Sequence, residues 1–191
     1  MAILAFADKQ GYTMRLFCIF FCILLCLTLP LNAPAKEPLR LYEQEIKSGL
    51  LYNFLKYTNW PGSDSQSNSV VCIFGNDPFG GYLDPMGGRS VNKRVIVIRK
   101  INSLPESADC HVVFVNSEEA KRWPSLLEFL QDKPVLTVSD FEGFINSGGM
   151  IEFNKKDNRI VVEMNIDAVK KVNLTVQDRL LKLVTIKHGG R

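Results

Sequence analysis

The chain has 191 residues, with 23 Lys and Arg against 20 Asp and Glu, for a formal net charge of +3 at pH 7. Hydrophobic residues make up 46% of it, as expected of a domain with a real core. Near-balanced charge with no long basic run argues against a nucleic-acid binder.

The first element in chain order is a leader. Arg15 precedes the apolar run Leu16 to Leu29; Pro30 and the small-residue pattern Ala33-Pro34-Ala35 follow, then Lys36 and Glu37. A positive n-region, an apolar h-region and small residues at the exit are what a secretory signal needs, so residues 1–35 are expected to be cleaved. The alternative is an uncleaved anchor, because the run nearly spans a bilayer. A lipid anchor at Cys26 is disfavoured, since Leu24-Leu25 stands where a small residue is required. Export leaves residues 36–191 as one domain. It also removes Cys18, Cys22 and Cys26, so only Cys72 and Cys110 remain. Two thiols in an oxidising compartment read most simply as one disulfide, with a pair of buried free thiols as the alternative.

Apolar residues at near-helical spacing predict a helix over 39–59, stopped by Trp60-Pro61. Val70 to Phe74, Val95 to Ile98, His111 to Val115 and Pro134 to Val138 are short β-rich apolar runs, the pattern of strands buried on both faces. Between them, Asp77-Pro78 predicts a short helix holding Phe79, Tyr82 and Leu83, and Ser117 opens one running through Trp123 to Leu130. A short helix is expected from Phe141 to Ser147. Met150 to Phe153 and Ile160 to Ile166 flank a turn-forming cluster and predict an antiparallel hairpin. Asp167 is expected to cap a helix through Lys171, and Thr175 a last one through Lys187, with Leu180, Leu181 and Val184 inward. The fold class is therefore α/β: a layered sandwich with a mostly parallel central sheet flanked by helices, plus a C-terminal antiparallel hairpin.

Catalytic patterns are sparse. Gly75 to Gly81 sits where a phosphate loop could lie, but it lacks GxGxxG spacing and Pro78 removes an amide donor, so a structural turn is the better reading. Cys110 and His111 are adjacent and on a strand would face opposite sides, which rules out a nucleophile–base pair. Two histidines and no CxxC are too few for a metal or thioredoxin-like site, and there is no GxSxG. Ser117-Glu118 and Ser139-Asp140 read as caps. No catalytic residue, metal ligand or cofactor is assigned. The helix over 39–59, with Tyr42, Leu50, Tyr52, Tyr57 and Trp60, carries more apolar perimeter than one core stripe requires; part of it could dock a partner or a second copy.

The order Phe54-Leu55-Lys56-Tyr57-Thr58-Asn59-Trp60-Pro61, Val71-Cys72-Ile73-Phe74-Gly75-Asn76-Asp77-Pro78-Phe79, Asp109 to Val115, Val135 to Asp140, Gly143-Phe144 and Gly148-Gly149-Met150-Ile151 resembles the YfiR family of bacterial periplasmic proteins. So do Val162 to Ile166 and the Leu180-Leu181 helix that follows; the resemblance covers residues 42–185. It implies a non-enzymatic regulator that binds the periplasmic sensor domain of an inner-membrane diguanylate cyclase and represses it. Lower cyclic di-GMP and less biofilm would follow. It also implies sequestration by an outer-membrane peptidoglycan-binding lipoprotein, a tendency to form homodimers, and a disulfide between Cys72 and Cys110. By position, Ile151, Phe153, Glu163 and Val169 resemble the region that contacts partners. The chain departs from the best-known members at a second cysteine pair, where Ile145, Asn146 and Glu152 stand instead. A periplasmic small-molecule receptor is the alternative, with ligand held by the loops at Gly75-Asn76-Asp77 and Ser139-Asp140. A hydrolase using an inconspicuous acid pair is a third reading.

Overall fold

A computed structural model of the protein describes residues 37–62 and 68–189, and the expected leader, 1–35, lies outside them. Among the described residues no helix is long and apolar enough to cross a membrane.

Helix α1 spans Glu37–Tyr57, and its inward stripe changes character along its length. The second half buries Leu51, Phe54 and Leu55, while the first half buries Gln44 and Lys47. Two residues expected in this helix leave it: Thr58–Asn59 form β1, paired antiparallel with β9, Thr175–Val176. The backbone amide of Gln177 adds a bond to the Tyr57 carbonyl. Long-range pairing thus overrides the helical pattern at the boundary.

The main sheet comprises β2 (Asn68–Phe74), β3 (Ser90–Val91), β4 (Arg94–Ile101), β5 (Val112–Val115), β6 (Leu136–Ser139), β7 (Ile151–Lys156), β8 (Arg159–Asn165) and β10 (Thr185–Lys187). Its spatial order is β10-β8-β7-β6-β5-β2-β4-β3. Strands β4, β2, β5, β6 and β7 run parallel, so the chain winds outward from β2 to β4, crosses back to β5, and continues to β7. The expected strands are present, and the hairpin is a continuation of the same sheet. Strands β7 and β8 pair antiparallel from Ile151↔Met164 to Lys156↔Arg159. They are joined by Asp157-Asn158, both at positive φ (48° and 62°), as a two-residue turn between twisted strands requires.

Side chains alternate between two cores. Val71, Ile73, Val112, Phe114, Leu136 and Val138 face α1 and the C-terminal helices α3 (Ile166–Lys171) and α4 (Asp178–Leu181). Cys72, Phe74, Val113 and Val115 face α2, Trp123–Leu130, with Trp123, Leu126 and Leu130 buried. Continuous apolar strands are what a sheet covered on both faces demands.

Five further expected helices differ. After Asp77, whose carboxylate accepts the Phe79 amide at 2.8 Å, the chain makes turns and one 3-10 turn at Asp84–Met86; Gly80 and Gly81 at positive φ interrupt any helix. Asn116, not Ser117, caps a 3-10 turn at Ser117–Glu119, and the α-helix starts only at Trp123. Phe141 to Ser147 forms successive turns. The tail does not form one helix capped by Thr175: β9, the short α4 and β10 take its place, and β10 lies parallel to β8. Asn165, not Asp167, caps α3 by accepting the Ala168 amide at 3.1 Å. Leu180 is buried as expected, and Leu181 and Val184 pack partly against the same core.

Candidate functional site

Cys72 on β2 and Cys110 just before β5 form a disulfide, with Cα atoms 6.0 Å apart and a sequence separation of 38. Both sulfurs lie in the α2-side core. The bridge closes the segment that holds β4, so it ties the sheet across its crossover.

The parallel strands reverse direction of winding between β2 and β5, the place where open sheets usually hold ligands. Here that crevice is occupied by the protein's own side chains. The Asn116 amide donates to the Asn76 carbonyl at 2.6 Å, and the Asn76 amide donates to Glu118 at 2.8 Å. A side chain at Gly75 (φ 87°) would overlap that of Glu119. Asp77 pairs with Lys100 at 3.0 Å. Asn76, Asn116, Glu118 and Glu119 fill the place a ligand would take, so Gly75 to Gly81 is a structural turn.

At the end of β6, Asp140 is likewise committed. It meets the Lys47 ammonium at 2.8 Å; Lys47 also pairs with Glu43 at 3.0 Å, and Glu43 with Lys155 at 3.0 Å. Lys47 is 3% exposed. This chain of charges fastens the first half of α1 to the sheet and to the hairpin. Burial opposes ionisation of Glu43, but hydrogen bonds from Lys47 and Lys155, with their charges, hold its carboxyl below the ordinary value.

His111 sits at the opposite end of the sheet. Its Nδ1 accepts the Val70 amide at 3.2 Å, its Nε2 lies 3.1 Å from Arg94 Nη1, and its carbonyl accepts the Trp60 indole N–H at 3.2 Å. The Trp60 ring packs edge-on against it, centroids 5.3 Å apart. Burial, with Arg94 nearby, pushes the imidazole down to about 4. The ring is neutral and accepts at one nitrogen, Nδ1, from the Val70 amide, and it sits among β2, β4 and β5; it is not placed to serve as a base for Cys110, whose sulfur is spent in the bridge.

The four expected contact residues separate. Ile151, Phe153 and Val169 are sealed in the α1-side core, where Phe153 stacks on Phe54 at 5.9 Å. Glu163 alone reaches solvent, paired with Lys187 of β10 at 3.3 Å. Glu163 stands directly opposite Glu152 across the hairpin, so the two carboxylates share one face. Glu152 is 4% exposed and accepts the backbone amides of Gly143 at 3.1 Å and Ile145 at 2.9 Å. Sequence reasoning missed this role: the Glu152 carboxylate holds the 141–149 loop against the hairpin. On α1, Leu41 and Tyr42 are 49% and 62% exposed, while Leu50, Tyr52 and Tyr57 pack partly on the core; the surplus apolar perimeter reduces to the helix's first turns. Among the described residues no three His, Cys, Asp or Glu side chains gather as a metal site would need.

These features define a disulfide-bridged, doubly wound α/β domain whose buried polar groups join elements together. The chain belongs to the YfiR/HmsC-like family, whose model matches residues 44–185. That family is one of periplasmic regulators of cyclic di-GMP signalling, regulatory rather than catalytic. No curated protein matches the chain. Among solved structures, the ABC domain from Streptococcus pneumonia in complex with L-Trp is similar at 8% identity and a TM-score of 0.48, over 75% of this chain. The chain spans 59% of that chain's length.

Proposed function

We propose that residues 36–191, freed from the leader, act in the periplasm as a non-enzymatic repressor of an inner-membrane diguanylate cyclase. Family membership over residues 44–185 carries this reading. The protein would bind the periplasmic sensor domain of the cyclase more tightly in its inactive state, and that difference in affinity is all that repression requires. The polar outer face of the hairpin, with Glu163 at its centre, is the contact surface. Ile151, Phe153 and Val169 support that surface from beneath. An outer-membrane peptidoglycan-binding lipoprotein would compete for the repressor, and a homodimer is the expected resting form.

The test is genetic. Deleting the gene should raise cellular cyclic di-GMP and biofilm, and the intact gene should restore both. A copy carrying Glu163→Arg should be exported and folded yet fail to restore them. Unchanged cyclic di-GMP after deletion, in cells that contain the partner cyclase, would overturn the reading.

A further inference from the structure

A cleft of about 450 Å³ opens between α2, the 147–150 loop and α3. Its origin is a break in the sheet. Strands β6 and β7 pair only at Val138↔Ile151 and Ser139↔Glu152. One residue earlier the Met150 amide turns to the Thr137 hydroxyl oxygen, 3.2 Å away, and the strands diverge. Trp123, Leu127, Met150 and Val172 make the walls largely apolar.

The cleft is preformed. The Trp123 indole N–H donates to the Ser147 carbonyl at 3.1 Å. Gly148, at φ 92°, lies so near Leu127 that a Cβ there would come within 2.8 Å of its Cδ2. The loop and α2 are therefore locked together around the opening. Its volume falls in the range of small-molecule sites, which combine apolar walls with a few placed polar groups.

Two observations select the occupant. Thr137 is 2% exposed and lines the cleft; its oxygen accepts from Met150, but its own proton has no acceptor among the described residues. A buried hydroxyl proton is rarely left unspent, and a ligand can satisfy it only with an acceptor. At the rim, Glu128 stands on α2 and Lys171 on α3, so the charges of the two walls cancel. We infer that this cleft binds an uncharged, mainly apolar small molecule carrying a hydrogen-bond acceptor, such as a carbonyl, at its buried end. The inference holds whether or not the protein represses a cyclase.

The experiment is calorimetric titration of the purified protein with 2-acetylnaphthalene and with 2-ethylnaphthalene, which has the same shape without the acceptor. Trp123 emission is followed in a Trp60→Phe background, which leaves one indole. The expected result is one-to-one saturable binding of the ketone that changes Trp123 emission, about tenfold tighter than the hydrocarbon, the worth of one net hydrogen bond. Thr137→Val should erase that tenfold difference and Thr137→Ser should keep it. Ala168→Phe, which fills the cleft from α3, should abolish both affinities; if that variant does not melt cooperatively, the Thr137 pair decides. No saturable binding, equal affinity for the two probes, or undiminished binding by folded Ala168→Phe would overturn the inference. So would sedimentation showing that a second copy covers the cleft and that Ala168→Phe releases it.

Discussion

His111 gives a pH dependence that can be worked out from its surroundings. Its ordinary value is 6.5, and burial beside Arg94 brings it down to about 4. In the unfolded chain the ring takes up a proton as pH falls through 6.5; in the folded protein it does not until about 4. The unfolded state therefore binds more protons across that window, and stability falls as pH drops from about 6.5 to 4, with no further loss from this residue below it. At roughly 1.4 kcal/mol per pH unit the full effect is about 3 kcal/mol, and solvent at the rim of the site reduces it to about 2 kcal/mol. Urea unfolding of the wild type and of His111→Gln at a series of pH values isolates this contribution, because the carboxylates titrate in both. The wild type should lose about 2 kcal/mol more than the variant between pH 7 and pH 4. In NMR, the imidazole resonance that disappears in His111→Gln should titrate well below 6. A midpoint near 6.5, or a stability difference between the two proteins that does not vary with pH, would refute the reasoning.

Three further perturbations follow from the same geometry. Replacing Cys72 and Cys110 together by Ala should cost about 3–4 kcal/mol, from the separation of 38 residues that the bridge spans; urea unfolding of variant and oxidised wild type measures it. Lys47→Met should remove the cation that Asp140 and Glu43 share and cost about 2 kcal/mol, less than a fully buried pair because both acids reach solvent. Hydrogen exchange should then speed up in the first half of α1 and not around Leu51 to Leu55. Glu152→Ala should leave the Gly143 and Ile145 amides unpaired, cost about 2–3 kcal/mol, and raise hydrogen exchange across 141–149 while sparing β5 and β6.

The parallel strands were legible because a strand buried on both faces must be apolar throughout, and Val70 to Phe74, His111 to Val115 and Pro134 to Val138 need no context to show it. The hairpin was legible because Asp157-Asn158 is turn chemistry between two alternating runs. Elements whose state is decided by a distant partner were not. Phe141 to Ser147 has helical spacing, yet its amides at Gly143 and Ile145 bond a carboxylate on the next strand. Thr175 looked like a cap, but it pairs with Asn59, 116 residues away. The same reason hid the polar groups: the partners of His111 lie on β2 and β4 and beside α1, and no local pattern brings them together. Position along the hairpin marked Ile151 and Phe153 for partner contact, yet the pleat turns both into the core and presents Glu152 and Glu163 on the other face. The cleft beside Thr137 had no trace in the sequence, because it arises where two strands stop pairing.

The proposed contact sets the exposed side of the hairpin against a membrane-bound cyclase. A photo-crosslinking amino acid placed at Glu163 in living cells tests it most directly, with the captured protein identified by mass spectrometry. The expected adduct is with an inner-membrane protein bearing a diguanylate cyclase domain, and it is absent when the crosslinker is placed at Glu128, at the rim of the cleft on α2. Adducts with a second copy of this chain alone, or none, in cells whose cyclic di-GMP still responds to deletion of the gene, would contradict it.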